Sequence, residues 1–279
     1  MNSTTCPLPL IADRVLPQRD LLLDREFMSE LFSRQLGVNC PIVIESCEHI
    51  RTTYHAGESL RVAYRVSASE GSCVVAGRAF PEGRSGKSFE AARQKAVNCG
   101  PFRPVFHDTE TESIFWTFPN DRKIANLNSL VQIPQELAQL FAAPWARSNI
   151  VAYAPENCAT AQCLTAQGDV LAYAKVYADD HNEICLRTYT ALRQSVEAER
   201  TEIEFPKVIY HSAKNHILVL RRCGASAWLK SRAAHCLQHL RVWARLWLAC
   251  MQCLRHRICP TSRDLPIHTC NWRPSVLDW

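Results

Sequence analysis

The chain has 279 residues, 47% hydrophobic and 21% charged, with 9 Gly, 15 Pro and 14 Cys, enough for one large domain or two ordinary ones. Its net charge of +5 sits in one place: from Ser231 to Trp279 there are seven Arg, no Lys, no Glu and only Asp264 and Asp278, so residues 1–230 are neutral. A neutral body excludes a nucleic-acid binder driven by phosphate neutralisation, near-average apolar content excludes disorder, and the best apolar run, Leu240 to Leu254, is cut by Arg241 and Arg245 and cannot serve as a transmembrane segment.

The first residues, MNSTTCPLPLIADRVLPQRD, lack a basic region followed by an apolar run and a small-residue cleavage site, so a cytoplasmic protein is expected. In that compartment cysteines stay reduced, and Cys6, Cys40, Cys47, Cys73, Cys99, Cys158, Cys163, Cys185 and Cys223, none of them in a CxxC pair, read as small buried hydrophobes. A Pro-punctuated leader runs into a helix, Leu21 to Leu36, with Leu23, Phe27, Leu31 and Phe32 on its apolar side. From Pro41 the period changes to two. Ile42 to Ser46, Ser59 to Val66, Ser72 to Phe80 and Ile114 to Phe118 read as strands, with turns at His55-Ala56-Gly57-Glu58 and Ser69-Glu70-Gly71 and one helix, Ser88 to Val97. This is a small antiparallel sheet with helices.

Pro119-Asn120-Asp121-Arg122 reads as a turn, and Ile124 to Phe141 as helical with a break at Pro134. A second β-rich stretch follows: Ile150 to Ala154, Ala159 to Leu164 and Val170 to Tyr177, with a hairpin turn at Ala166-Gln167-Gly168-Asp169. Then come a helix, His181 to Ala198, and two strands, Lys207 to Tyr210 and His216 to Leu220. No internal repeat stands out at a fixed period. Past Gly224, Arg, Cys, Trp, His and Leu dominate and acidic residues nearly vanish.

Gly83-Arg84-Ser85-Gly86-Lys87-Ser88 lies between a strand and a helix, where a phosphate-cradling loop belongs. That motif needs glycine where Pro81 stands, so the segment reads as a solvated loop capped by Ser88. In the tail, Cys250-Met-Gln-Cys253 with His256, Cys259, His268 and Cys270 has the ligand types for zinc. The lone CxxC falls inside an apolar helical stretch, Cys236 to Leu254, and no metal site is assigned to it. Lys175 is the sharper signal. A lysine amid the apolar run Val170-Leu-Ala-Tyr-Ala-Lys175-Val-Tyr177 is costly to bury unless its ammonium meets a carboxylate or phosphate.

Together, Phe118-Pro-Asn-Asp-Arg-Lys-Ile, Val151-Ala-Tyr-Ala-Pro-Glu, Ala174-Lys175-Val-Tyr177, a helix with Arg187-Thr-Tyr-Thr-Ala-Leu192, and Phe205-Pro-Lys-Val-Ile-Tyr210 with His216-Ile-Leu-Val-Leu220 resemble the aminoglycoside phosphotransferase-like family. More narrowly, they resemble its capped, maltokinase-like bacterial members. The resemblance implies an α+β fold: a leader and helix over 1–36, an antiparallel-sheet cap domain over 37–145, a kinase-like amino-terminal lobe over 146–225 and a helical tail over 226–279. It also implies ATP and Mg as cofactors and transfer of a phosphoryl group to a hydroxyl of a sugar or aminoglycoside. On that reading Lys175 holds the nucleotide phosphates and Glu183, or more weakly Glu197, orients it. The loop Pro155 to Thr160 covers the nucleotide with amides near Asn157 and Ala159 and the Thr160 hydroxyl, and Leu218 to Arg222, with Leu220, forms the adenine hinge.

Two features depart from the family. No His-x-Asp catalytic loop follows Lys175, and only 59 residues follow Leu220. The family's carboxy-terminal lobe is therefore expected to be missing, and the chain to be inactive as written. The Arg-only, Cys- and Trp-rich tail reads as a product of translation out of frame. The competing expectation is a non-catalytic pseudokinase whose basic, aromatic tail contacts a partner.

Overall fold

A computed structural model describes residues 11–199 and 205–222, residues 196–199 by backbone alone. Thirteen or so residues before the first helix wind through single 3-10 turns at Pro17–Arg19 and Leu21–Leu23. Helix α1, Arg25–Gln35, then starts at Asp24, whose carboxylate accepts from the amides of Glu26 and Phe27. Its start lies later than the apolar pattern suggested, because that capping carboxylate ends the 3-10 turn before it.

Sheet 1 comprises β1 (Ile44–His55), β2 (Ser59–Ala68), β3 (Gly71–Ala79), β4 (Val105–Asp108) and β5 (Ser113–Thr117), in the order β1-β2-β3-β5-β4. Strand β1 extends nine residues past the expected Ser46, through Cys47-Glu-His-Ile-Arg-Thr-Thr-Tyr-His55. It is an edge strand with mostly exposed positions and a bulge between His49 and Arg51, so its polar sequence shows no alternation. The four-residue β4 gave no sequence signal and is held by pairing with β5. The expected turns are present, with Gly57 and Gly71 at φ +70 and +128, the left-handed region that glycine enters freely. One face of this sheet packs against Met28, Leu31 and Phe32 of α1. Phe32 meets Tyr64, Phe106 and Phe115 edge-on at centroid distances of 5.3, 6.2 and 5.7 Å. Gly77 on β3 keeps that layer closed, since a Cβ there would lie 2.5 Å from the Phe115 ring.

Helix α2, Ser85–Arg93, follows β3. Gly86, Lys87 and Ser88 therefore lie inside the helix, and Ser85 rather than Ser88 stands at its start. The Ser85 amide donates to a Glu112 carboxylate oxygen at 3.3 Å, so an acid already occupies the place where a phosphate would sit. The expected long helix over Ile124 to Phe141 is replaced by a 3-10 turn, Leu127–Leu130, and one turn of helix, α3, Gln135–Ala138. Pro134 caps α3, and Leu127, Leu130, Leu137 and Trp145 drape the segment across the core between the sheets.

Sheet 2 comprises β6 (Arg147–Ala154), β7 (Cys158–Leu164), β8 (Val170–Tyr177), β9 (Val208–Ser212) and β10 (Ile217–Arg221), in the order β6-β7-β8-β10-β9. Helix α4, His181–Glu199, runs between β8 and β9. The Gly168 turn forms as expected, at φ +100. One face of the sheet, Ala159, Ala161, Cys163, Ala172, Ala174, Val176, Ile217 and Val219, shares a core with Ala63, Ala76, Ile114 and Trp116 of sheet 1. Both sheets fall in one compact unit ending at Gly224. The described residues thus form a mixed α+β structure with two antiparallel five-stranded sheets.

The two sheets repeat one topology, although no fixed sequence period revealed it. Each has three consecutive antiparallel strands, a helix and two more strands, with the last strand inserted beside the third. The correspondence reaches single positions: Arg78 lies seven residues after Gly71 and opposite Arg61, and Lys175 lies seven residues after Gly168 and opposite Thr160. In each sheet the helix after the third strand covers the face bearing that cation: Phe89 of α2 stacks on His107, and Leu186 and Tyr189 of α4 pack against Leu218.

Candidate functional site

Strand alternation places Lys175 away from the shared core. Ala172, Ala174 and Val176 are fully buried on one face of β8, and Tyr173, Lys175 and Tyr177 lie on the other. Lys175 stands between Thr160 of β7 and Leu218 of β10. Its Nζ lies 4.8 Å from the centre of the Tyr177 ring and makes no ion pair with any described residue. The Thr160 hydroxyl beside it is half-buried and has no hydrogen-bond partner among the described residues.

Other expected site residues lie elsewhere. The Glu183 carboxylate is 3.3 Å from Nε2 of His211 on β9 and forms no ion pair with Lys175. The side chain of Glu197, like the tail motif from Cys250 to Cys270, lies outside the described residues. Asn157 is exposed, and its amide donates to the Ala154 carbonyl at 3.0 Å, closing the β6–β7 turn rather than facing a ligand. Ala159 points into the shared core. Leu220, 9% exposed, packs with Leu218 and Tyr177 under α4, and the expected hinge is strand β10 as far as Arg221. The structure therefore brings Lys175 together with Thr160 and with the buried side chains of Leu218 and Leu220, but not with Glu183, Asn157 or Ala159.

The docking of α4 depends on a residue the sequence did not single out. Asn182 is fully buried; its Nδ2 lies 3.1 Å from the Ser212 carbonyl and 3.0 Å from Nε2 of His211, and its Oδ1 lies 3.4 Å from Nδ1 of His216. Behind it, Cys185, Leu186 and Tyr189 meet the Lys175 face. Burial pushes the Tyr177 hydroxyl well up, and its hydrogen bond with Cys185 adds to the effect. Asp179, Asp180 and His181 bring three ligand-type atoms within 4.8 Å at the start of α4; all three are exposed, and His181 is hydrogen-bonded to Asp179.

Two of the motifs that carried the resemblance, those at Phe118–Arg122 and Tyr153–Glu156, meet in a buried network joining the sheets. Phe118 packs edge-on against Tyr153 at 5.5 Å, ahead of a cis peptide bond to Pro119. Asn120 pins the preceding loop through the Val97 amide and carbonyl. Asp121 accepts from the amides of Lys123 and Ile124 on one oxygen, and from the Tyr153 hydroxyl (2.7 Å) and the Glu156 amide (3.0 Å) on the other. Trp116 of sheet 1 donates its indole N–H to the Tyr153 oxygen at 2.8 Å. Glu156, in the left-handed region at φ +59 with its carboxylate fully buried, accepts from Arg78 of sheet 1 and from Arg122, each at 2.5 Å. Burial works to raise the Glu156 carboxyl, and the two guanidiniums overcome it and hold it below its ordinary range. For Asp121 burial prevails over the hydrogen bonds, and its carboxyl is raised.

Comparison with known family models, with curated proteins and with solved structures finds no match to this chain.

Proposed function

We propose that sheet 2 with α4 is a nucleotide-phosphate-binding lobe of the small-molecule phosphotransferase type. One observation carries the reading: Lys175 lies unpaired on the third strand of an antiparallel sheet whose order is β6-β7-β8-β10-β9, with a helix inserted after that strand, which is where kinases place their phosphate-binding lysine. The residues fit a nucleotide's phosphates. The ammonium is a point charge with three donors, and the neighbouring Thr160 hydroxyl is free to donate to a phosphate oxygen.

The fit to magnesium is poorer: the ligand-type group among the described residues of this lobe, Asp179, Asp180 and His181, is exposed, with His181 hydrogen-bonded to Asp179. No transfer step is assigned to the described residues, whose part on this reading is nucleotide binding. The partner-binding alternative rests on the tail, which lies outside the described residues.

The reading is tested by thermal shift and calorimetry of the full chain with Mg-ATP. Binding should appear in the native chain and fall at least about tenfold in Lys175→Ala, roughly the loss of one charge-assisted contact. Nucleotide binding that is indifferent to Lys175 would sink it.

A further inference from the structure

Sheet 1 presents a row of cations where it meets the β6–β7 turn. Arg51 of β1 is opposite Ala63, Arg61 of β2 is opposite Arg78 of β3, and Ala63 and Arg78 both face sheet 2, so the three arginines share that face. Arg122 joins them from the turn before α3. A single carboxylate, Glu156, is paired within this group, and each of its oxygens already accepts from a guanidinium, one from Arg78 and one from Arg122.

Arg51 and Arg61 have no hydrogen bond or ion pair among the described residues. The Nε atoms of Arg61 and Arg78 are both buried and without a hydrogen-bond partner. Like charges directly opposite one another on neighbouring strands repel, and a buried donor left unmade is seldom tolerated without a water or an ion to satisfy it. An oxyanion answers both conditions at once.

We propose that Arg51 and Arg61, with the free Nε of Arg78 behind them, bind an oxyanion of the phosphate class beside the Pro155–Cys158 turn. A guanidinium presents two parallel N–H donors at the spacing of two phosphate oxygens, and two such forks from adjacent strands hold one phosphate from two sides. Arg78, ion-paired with Glu156 of that turn, fixes the inner end of the site. The anion site goes beyond the nucleotide reading, because it requires no contact with Lys175. Its phosphate comes either from a nucleotide reaching across Cys158 or from a separate phosphate ester.

Calorimetry on the full chain, with inorganic tripolyphosphate and with Mg-ATP as separate probes, tests the site in Arg51→Gln, Arg61→Gln and Lys175→Ala. Arg51 is exposed, so Arg51→Gln should keep the unliganded Tm and still weaken tripolyphosphate binding about tenfold or more, the loss of one charged fork. The more buried Arg61→Gln should do the same in whatever fraction folds. If Lys175→Ala weakens the same probe, the phosphate is shared with the nucleotide; if not, it comes from a separate source. Both outcomes support the site. Native chain that fails to bind tripolyphosphate, or Arg51→Gln that binds it unchanged, overturns the proposal. Lys175-dependent ATP binding with no effect of Arg51 leaves the nucleotide reading standing and removes the anion site. Arg51-dependent tripolyphosphate binding with no effect of Lys175 on ATP does the reverse.

Discussion

Glu156 shows how one side chain fixes the relation of two sheets. Its carboxylate is fully buried and its two acceptors are divided between Arg78 and Arg122, each about a fifth exposed. Removing the charge leaves two guanidiniums without a counter-ion, so Glu156→Gln should destabilise the fold by about 2–3 kcal/mol, at or below the usual range for a broken buried pair because the arginines retain some solvent. The loss depends on pH. A carboxyl held below its ordinary value contributes stability that is fully present above that value, 4.5 for Glu156, and is lost as the pH falls through the lower folded value. Asp121 runs the other way: its raised carboxyl gains stability as the pH falls through the folded value, and it does so in both proteins. Urea unfolding of the native chain and Glu156→Gln from about pH 7 to about pH 3 should therefore show a gap that is constant at neutral pH and narrows below about 4.5. A gap that stays constant into acid would remove Glu156 as the ionised partner.

At the level of elements, α4 governs the Lys175 face. The helix is anchored at its first turn by Asn182 and along its length by Cys185, Leu186 and Tyr189. Asn182→Ala removes the donor to the Ser212 carbonyl and leaves His211 and His216 with fewer partners inside a closed hairpin. We expect a loss of about 1–3 kcal/mol, the range for unpaired buried polar groups. Faster amide exchange should be confined to α4 and the β9–β10 hairpin. Uniform acceleration through sheet 1 as well would contradict the local anchoring role.

At the level of the molecule, one core serves both sheets. Ala63, Ala76, Ile114 and Trp116 pack in the same cluster as the inner faces of β7, β8 and β10, with Trp145 and the leucines of the connecting segment between them. Neither sheet can separate without exposing that cluster, so β2–β3 and β7–β8 should open together. Native-state hydrogen exchange should give their central amides the same opening free energy within about 0.5 kcal/mol, the usual scatter for groups that report one transition. Two well-separated values would show that the sheets are independent domains. The shared topology bears on function too: Arg78 takes in sheet 1 the place that Lys175 takes in sheet 2, yet among the described residues only Arg78 has a carboxylate partner.

The sequence by itself determined the strands with alternating or continuous apolar residues, the Gly57, Gly71 and Gly168 turns, helix α4 and the place of Lys175 on a strand, because these are local and carried by period and by turn chemistry. The extension of edge strand β1 past Ser46 and the four-residue β4 were hidden, since exposed polar residues and short length leave no periodic signal. The apparent helix from Ile124 to Phe141 became a draped segment because its leucines bury between two sheets, an arrangement that exists only once both sheets are in place. Tertiary structure alone decided that Glu183 meets His211 and that Phe118–Arg122 and Tyr153–Glu156 form a clasp. Hydrogen bonds and ion pairs between residues more than thirty positions apart follow from the register and stacking of strands, which no local pattern in the chain encodes.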